Sequence, residues 1–400
     1  MNYSCFYRGF ITPIYKGLLL FFISMLSFSF SCQKKSSGSE LSTRKFYKWD
    51  EFSMGVDLSY VNQVEDYGGV YRDSGRVKDP FRIMKDHGAN TVRVRLWHTP
   101  NWVASLNNGK MYYALYGVEK TLQRAKSLDM AVNLDLHYSD RWADPAHQDT
   151  PAAWAGLGID VLKDSVYNYT LAVLNYYKSK NLVPEMVQVG NETNSGMLWP
   201  VGKVENNNWQ NFATLLKSGI KAVRDFSASS AIKPKIILHV AQLQNAEFWV
   251  SALRQHGVTD YDILGLSHYT KWSTVQNMND VTASIKQLKT LAGKEVMVVE
   301  TAYPWTGDNA DSYTNIMSVS DKAPGYDISI QDQLRYMKDL TQAIIHGGGK
   351  GIMYWEPAWI SSRLNDGWGQ GSSWENNAFF DFSGNTLPVI DYMNEAYIGL

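Results

Sequence analysis

The amino-acid sequence predicts an α/β fold, a (β/α)8 TIM barrel forming a single domain. Three observations lead there. Eight short apolar runs alternate with amphipathic stretches, no linker or composition shift divides them, and polar residues gather where the runs end. The runs are 55–61, 91–97, 131–138, 186–191, 235–240, 263–269, 296–301 and 351–355. Alternation of this kind argues a parallel sheet with crossover helices. An open, doubly wound sheet is the structural alternative, because counting strands does not establish closure.

Between the runs, spacing and caps read as helices. Asp79 and Pro80 supply an N-cap and a first-turn proline, and Gly88 suits the turn that ends that helix. Leu162, Val166, Tyr169, Val173 and Tyr176 step by four and three, as one buried helix face requires, and Phe212, Leu215, Leu216, Ile220 and Val223 do the same. A last long helix spans 329–346 and stops at Gly347-Gly348-Gly349.

Upstream of the first run the chain reads differently. Arg8 and Lys16 precede an apolar run over 17–30, so residues 1–31 are expected to be a secretory signal peptide. That run is 14 residues long, short of the roughly 20 a membrane-spanning helix needs. Ser29-Phe30-Ser31-Cys32 and the small, polar stretch after it resemble a bacterial lipoprotein cleavage site, although Ser29 stands where Leu is usual. Cys32 is then the lipidated residue, 32–48 a flexible tether and 49–400 the barrel domain. The expected location is a bacterial membrane, either the outer membrane or the cell surface; ordinary cleavage beside an unmodified cysteine is the alternative.

The only other cysteine, Cys5, lies inside the signal, so no internal disulfide is expected and the fold must rest on its core. Without the signal, 36 basic residues face 39 acidic ones and no basic run exceeds Lys34-Lys35, which argues against a nucleic-acid partner. Nothing in the sequence demands more than a monomer.

In a barrel of this kind the site is built at the carboxyl ends of the strands. Those positions hold Asp57 and Ser59, Arg95, Asp135 and His137, Asn191 and Glu192, His268 and Tyr269, Glu300, and Trp355 and Glu356. Two apolar runs, on the fourth and seventh strands, finish in the carboxylates Glu192 and Glu300. Glycoside hydrolysis with retention needs two carboxyl groups about 5 to 5.5 Å apart. Either glutamate alone reads as an ordinary strand-end residue; the pair points to a hydrolase.

Several segments carry a more specific resemblance. They are Gly55-Val56-Asp57-Leu58-Ser59, Val94-Arg95-Leu96-Trp97, the stretch from His137 to Pro145, Val189-Gly190-Asn191-Glu192, the stretch from Val299 to Trp305, and Gly371-Ser372-Ser373-Trp374-Glu375-Asn376. Together they resemble glycoside hydrolase family 53, the arabinogalactan endo-β-1,4-galactanases. The resemblance implies Glu192 as acid/base and Glu300 as nucleophile. It also implies galactan or arabinogalactan side chains of pectin as substrate, and no cofactor in the chemistry. Similar proteins usually have a Tyr-Tyr-Pro-aromatic run after strand six; here His268-Tyr269-Thr270-Lys271-Trp272 stands there, which bears on one substrate contact and on product length.

Glu192 must hold a proton and Glu300 must stay ionised. Arg95 is the candidate that keeps Glu300 charged, with an ion pair to Asp57 as its alternative. Asn191 is placed to bond the sugar 2-hydroxyl, and His137 and Tyr269 to orient the glutamates, a purely structural histidine being the alternative for His137. Of the 14 tryptophans, 11 fall at strand ends or in the loops after them: residues 97, 102, 142, 154, 199, 272, 305, 355, 359, 368 and 374. Indole faces stack on sugar rings, so Trp355 is the expected platform, with Trp97, Trp305, Trp359 and Trp374 lining further subsites or packing in the core. The loops after strands seven and eight are long, and similar proteins can tie them with calcium; Asp308, Asn309, Asp311 and Asn315 offer oxygen ligands, although Tyr313 stands where another ligand is expected. The competing functions are a mannanase or glucanase of the same clan and a surface glycan-binding protein without activity, which would lack a glutamate.

Overall fold

The structure, a computed structural model, describes residues 44–400. The expectations for residues 1–31, for Cys32 and for most of the tether lie outside the described residues. Eight parallel strands form the barrel: β1 (Ser53–Asp57), β2 (Thr91–Leu96), β3 (Ala131–Leu136), β4 (Met186–Val189), β5 (Lys235–Ala241), β6 (Ile263–His268), β7 (Glu295–Thr301) and β8 (Gly351–Tyr354). β1 pairs with β8 on one side and β2 on the other, so the sheet closes and the open-sheet alternative falls. Strand β1 is shorter than the run that predicts it, because Val61–Asp66 is already helical.

The crossover helices lie where the spacing places them. Asp79 caps Pro80–Asp86 by accepting from the Arg82 amide, and Gly88 turns the chain at φ 106. In Ile159–Ser179 the buried face is Leu162, Val166, Thr170, Val173, Leu174 and Tyr177; Tyr169 and Tyr176 sit at its edge. Gln210–Ala228 buries all five of its expected residues. After β8 no α-helix follows; a 3-10 segment, Pro388–Asn394, packs against Ile330–His346 instead.

Side chains alternate across each strand, and this alternation sorts the barrel interior into two zones. Met186, Ile237, Ile263, Met297, Val299 and Met353 form an apolar plug toward the amino ends of the strands, capped by Trp49. Further along the inward face stand Gln188 and His239, two residues beyond Met186 and Ile237, and Ser267, two beyond Gly265, all buried. Their neighbours of opposite parity, such as Val187, Val189, Leu264 and Leu266, pack outward in the main core.

Strand β7 breaks this alternation. Its register against β6 shifts between the pairs Leu266 with Val298 and Ser267 with Glu300, a one-residue bulge. Val299 points into the plug, and the bulge turns the next residue, Glu300, inward as well.

Residues 44–48, expected at the end of the tether, pack onto the domain. Arg44 pairs with Glu395, and the buried Tyr47 hydroxyl donates to the Glu395 carbonyl at 2.8 Å. No helix among the described residues is long and apolar enough to cross a membrane.

Candidate active site

The chain leaves β4 through Gly190, at φ 85, and sets Glu192 itself in the left-handed region at φ 46. A non-glycine residue held there stores local strain, and such residues cluster at sites where geometry matters. The turn aims Glu192 across the barrel mouth at Glu300. One oxygen of each carboxylate and a ring nitrogen of His239 lie within 4.8 Å of one another. That spacing suits retention, which uses carboxyl groups about 5 to 5.5 Å apart, and not inversion, which needs about 6.5 to 9.5 Å for an intervening water.

The two carboxylates have different partners. Glu300 Oε1 is 2.7 Å from Arg93 Nη2, and its Oε2 accepts the Tyr269 hydroxyl at 3.0 Å. Among the described residues Glu192 pairs with no cation; its Oε1 accepts Ser267 Oγ at 2.5 Å. Burial raises Glu192 well above the usual carboxylate range, and the Glu300 charge raises it further. Burial lifts Glu300 too, but Arg93 and the tyrosine donor oppose it. The one proton the pair shares therefore belongs on Glu192.

Arg93 is the hub of the polar zone. Its guanidinium also reaches Asp57 at 2.9 Å, Asp135 at 2.7 Å and the Asn191 amide oxygen at 2.9 Å. Burial alone would weaken its charge, but Asp135, Glu300 and Asp57 outweigh burial and hold it cationic.

Comparison with known proteins gives the site its context. Residues 53–393 match the family model described as "Glycosyl hydrolase family 53". The chain belongs to glycosyl hydrolase family 53. It is 42% identical to an arabinogalactan endo-beta-1,4-galactanase of Cellvibrio japonicus, over 86% of this chain and 91% of that relative. It is 32% identical to an endo-beta-1,4-galactanase of Bacillus subtilis, over 87% of each. Among solved structures, the Ignisphaera aggregans GH53 catalytic domain superposes with a TM-score of 0.79 at 36% identity, covering 87% of this chain and 97% of that one.

The family 53 cleft is a cavity of about 700 Å³. Of the expected site residues, Asp57, Arg95, His137, Asn191, Glu192, Tyr269, Glu300, Trp355 and Trp374 line it. So do Trp142, Trp272, Trp359 and Trp368. Trp97, His268 and Trp305 do not, and each departs from expectation for a physical reason. Trp97 is buried, donates to His137 Nδ1 at 3.3 Å and packs in the core. His268 has the outward parity of β6 and is buried away from the cleft, where burial pushes its pKa to about 4. Trp305 donates to the Glu375 carbonyl at 3.2 Å and packs on Phe382, beside the rim.

Arg95 requires a correction as well. It does not support Glu300; Arg93, one inward position deeper on the same strand, does that. Arg95 pairs with buried Glu356 at 2.6 Å and lies 4.2 to 4.3 Å from the ring centres of Tyr60, Tyr113 and Trp142. It acts as a cationic pillar behind the Trp142 wall of the cleft. His137 Nδ1 accepts from Trp97 and the Ala143 amide, so its Nε2–H donates to Asp135, 3.0 Å away, and not to a glutamate. Asn191 uses its amide oxygen on Arg93 and its nitrogen on the Ala143 carbonyl at 2.7 Å, which docks the loop after β3.

The oxygens proposed for calcium are engaged otherwise. Asp311 accepts from the Tyr313 amide, the Ser361 hydroxyl and the Ser372 amide. Asn309 accepts the Asn315 amide, and Asn315 donates to the Asp308 carbonyl. Two buried side-chain oxygens here lack a donor, Asn315 Oδ1 and Glu375 Oε2, and calcium would need further oxygens beside them. Glu375, whose pKa burial pushes up to about 7, ties the two loops by accepting the Ala310 amide at 2.8 Å.

Arg93, Gln188, His239 and Ser267 are absent from the strand-end residues that the sequence singles out. The signal that finds them is strand parity, which puts each of these polar residues on the inward face of its strand.

Proposed function

We propose that this family 53 glycoside hydrolase cleaves internal β-1,4-galactosidic bonds of galactan or arabinogalactan side chains of pectin, with retention. The observation that carries the mechanism is the close approach of Glu192 and Glu300 with only Glu300 paired to a cation. Glu300 attacks the anomeric carbon while Glu192 protonates the departing oxygen, leaving a galactosyl ester on Glu300. Glu192, now a carboxylate, takes a proton from water, which attacks the same carbon and releases the sugar with its original configuration. Trp355, only partly buried and backed at right angles by the buried Trp374 with ring centres 4.7 Å apart, offers indole surface to a sugar face.

The substrate reading is supported by the names of the relatives and by the segment from His137 to Pro145, which packs beside Asn191. Reducing ends released from galactan, mannan and cellulose, with the anomer followed by proton NMR, test both parts. We expect cleavage of galactan alone and a β-configured first product. Cleavage of mannan alone would replace the substrate, and an α first product would replace the mechanism.

For the amino-terminal region we infer export, cleavage before Cys32 and a lipid anchor, supported by the charge and apolarity pattern of residues 8–32. Mass spectrometry of the membrane-fraction protein should find an amino-terminal peptide starting at acylated Cys32; an unmodified cysteine would refute the anchor.

A further inference from the structure

Behind Glu192 lies a buried polar chain that the double displacement itself does not use. Ser267 occupies the inward face of β6 beside Glu300, and His239 the inward face of β5. His239 Nε2 is 2.9 Å from Ser267 Oγ, and Ser267 Oγ is 2.5 Å from Glu192 Oε1. At the other side of the ring, Nδ1 meets the Glu192 backbone N–H at 3.3 Å, the Gln188 amide nitrogen at 3.0 Å and the Asn191 amide oxygen at 3.0 Å.

Those contacts choose the tautomer. The Asn191 oxygen already receives Arg93 and Gln188. Among the described residues the Glu192 N–H has His239 Nδ1 as its one acceptor. Nδ1 is therefore the lone-pair side and Nε2 carries the hydrogen. Burial, with Arg93 and His137 nearby, pushes His239 well below its ordinary pKa, so the ring is neutral. Every donor in the chain then points one way: Nε2–H to Ser267, and the Ser267 hydroxyl to Glu192 Oε1.

We propose that His239 and Ser267 are positioning residues that keep Oε1 of Glu192 an acceptor and so confine the catalytic proton to Oε2. A carboxylic acid with two equivalent oxygens divides its proton between them; one whose Oε1 faces a fixed hydroxyl donor presents the proton from the other oxygen. Because Glu192 resumes the carboxylate form in the second half of the reaction, the same donor steadies that charge while water is activated. The imidazole takes its orientation from the backbone of the residue it serves, so the strained turn at Glu192 and the placement of its proton are one unit.

This inference rests on the acid/base reading of Glu192, and the test separates the two. Groups of charge facing Glu192 are Glu300 on β7, Arg93 on β2 and Asp144 after β3, with Tyr269 beside them. All stay in place in Ser267→Ala. That variant should lose about tenfold or more in kcat on galactan with KM nearly unchanged. Its alkaline limb should move to higher pH, since a donor that favours the carboxylate is gone. Ser267→Thr should restore most of the rate and the wild-type limb. His239→Gln, whose longer side chain brings an amide N–H to the place of Nε2–H, should outperform His239→Asn, whose shorter amide reaches only the place of Nδ1, and this pair keeps Ser267 and decides the matter if Ser267→Ala does not fold. On a dinitrophenyl galactoside, whose leaving group needs no proton, the galactosylation step should be spared. An unshifted limb and an undiminished kcat in folded Ser267→Ala, or equal rates for the two His239 variants, would overturn the relay alone. Undiminished galactan cleavage by Glu192→Gln would overturn the acid/base reading beneath it.

Discussion

Glu300→Gln is expected to lower galactan hydrolysis on the order of 10⁴-fold or more, because the covalent step loses its nucleophile. The fold should survive it. Arg93 keeps Asp57 and Asp135, and the Tyr269 hydroxyl can still donate to the amide oxygen. Loss of the neighbouring charge removes one cause of the raised Glu192 pKa, so any residual activity should fade at lower pH than in the wild type. Glu300→Ala with added azide separates this role from a general electrostatic one: azide enters from the vacated face and yields the α-galactosyl azide. A variant that keeps more than a few per cent of wild-type turnover, or a β-azide product, would rule Glu300 out as nucleophile.

Arg93→Met should cost both activity and stability, since it leaves Asp57, Asp135 and Glu300 buried without their shared cation. Breaking a buried ion pair from one side costs roughly 3–5 kcal/mol. The pH dependence has a definite sign. With the cation gone, Glu300 loses the largest influence opposing its burial, so its folded-state pKa, already raised to about 7, rises further. Such a group binds more protons in the folded state, and the deficit grows as pH rises through its titration. Thermal melts of both proteins from pH 5 to pH 8 should show the gap widening toward pH 8. A constant gap would mean that Arg93 acts by packing; wild-type stability would mean that the carboxylates were not relying on it.

The barrel was readable in the sequence because closure depends on many apolar residues at once, and both glutamates because each ends such a run. What escaped depended on single-residue geometry. Arg95 and Arg93 share the inward face of β2, and a motif ending at Trp97 does not say which of them reaches Glu300. His268 and Ser267 differ by one position, hence by face, and the polar residue nearest the strand end was the outward one. Trp97 and Trp305 lie at the loop positions that suit sugar stacking, but the indole of one turns to the core and that of the other to the rim. Tryptophan placement in a loop names the neighbourhood and not the face it shows.

The bulge in β7 carries a lesson about inheritance. In a strictly alternating strand, Glu300 would share the outward face of Val296 and Val298. Its place in the cleft is thus written in how many residues precede it, and not in which ones. Substitutions among the apolar residues of this strand can accumulate in a lineage while the nucleophile stays in the cleft. A single-codon gain or loss there would instead rotate it away from its partner. Along this strand, the geometry constrains length more strictly than spelling.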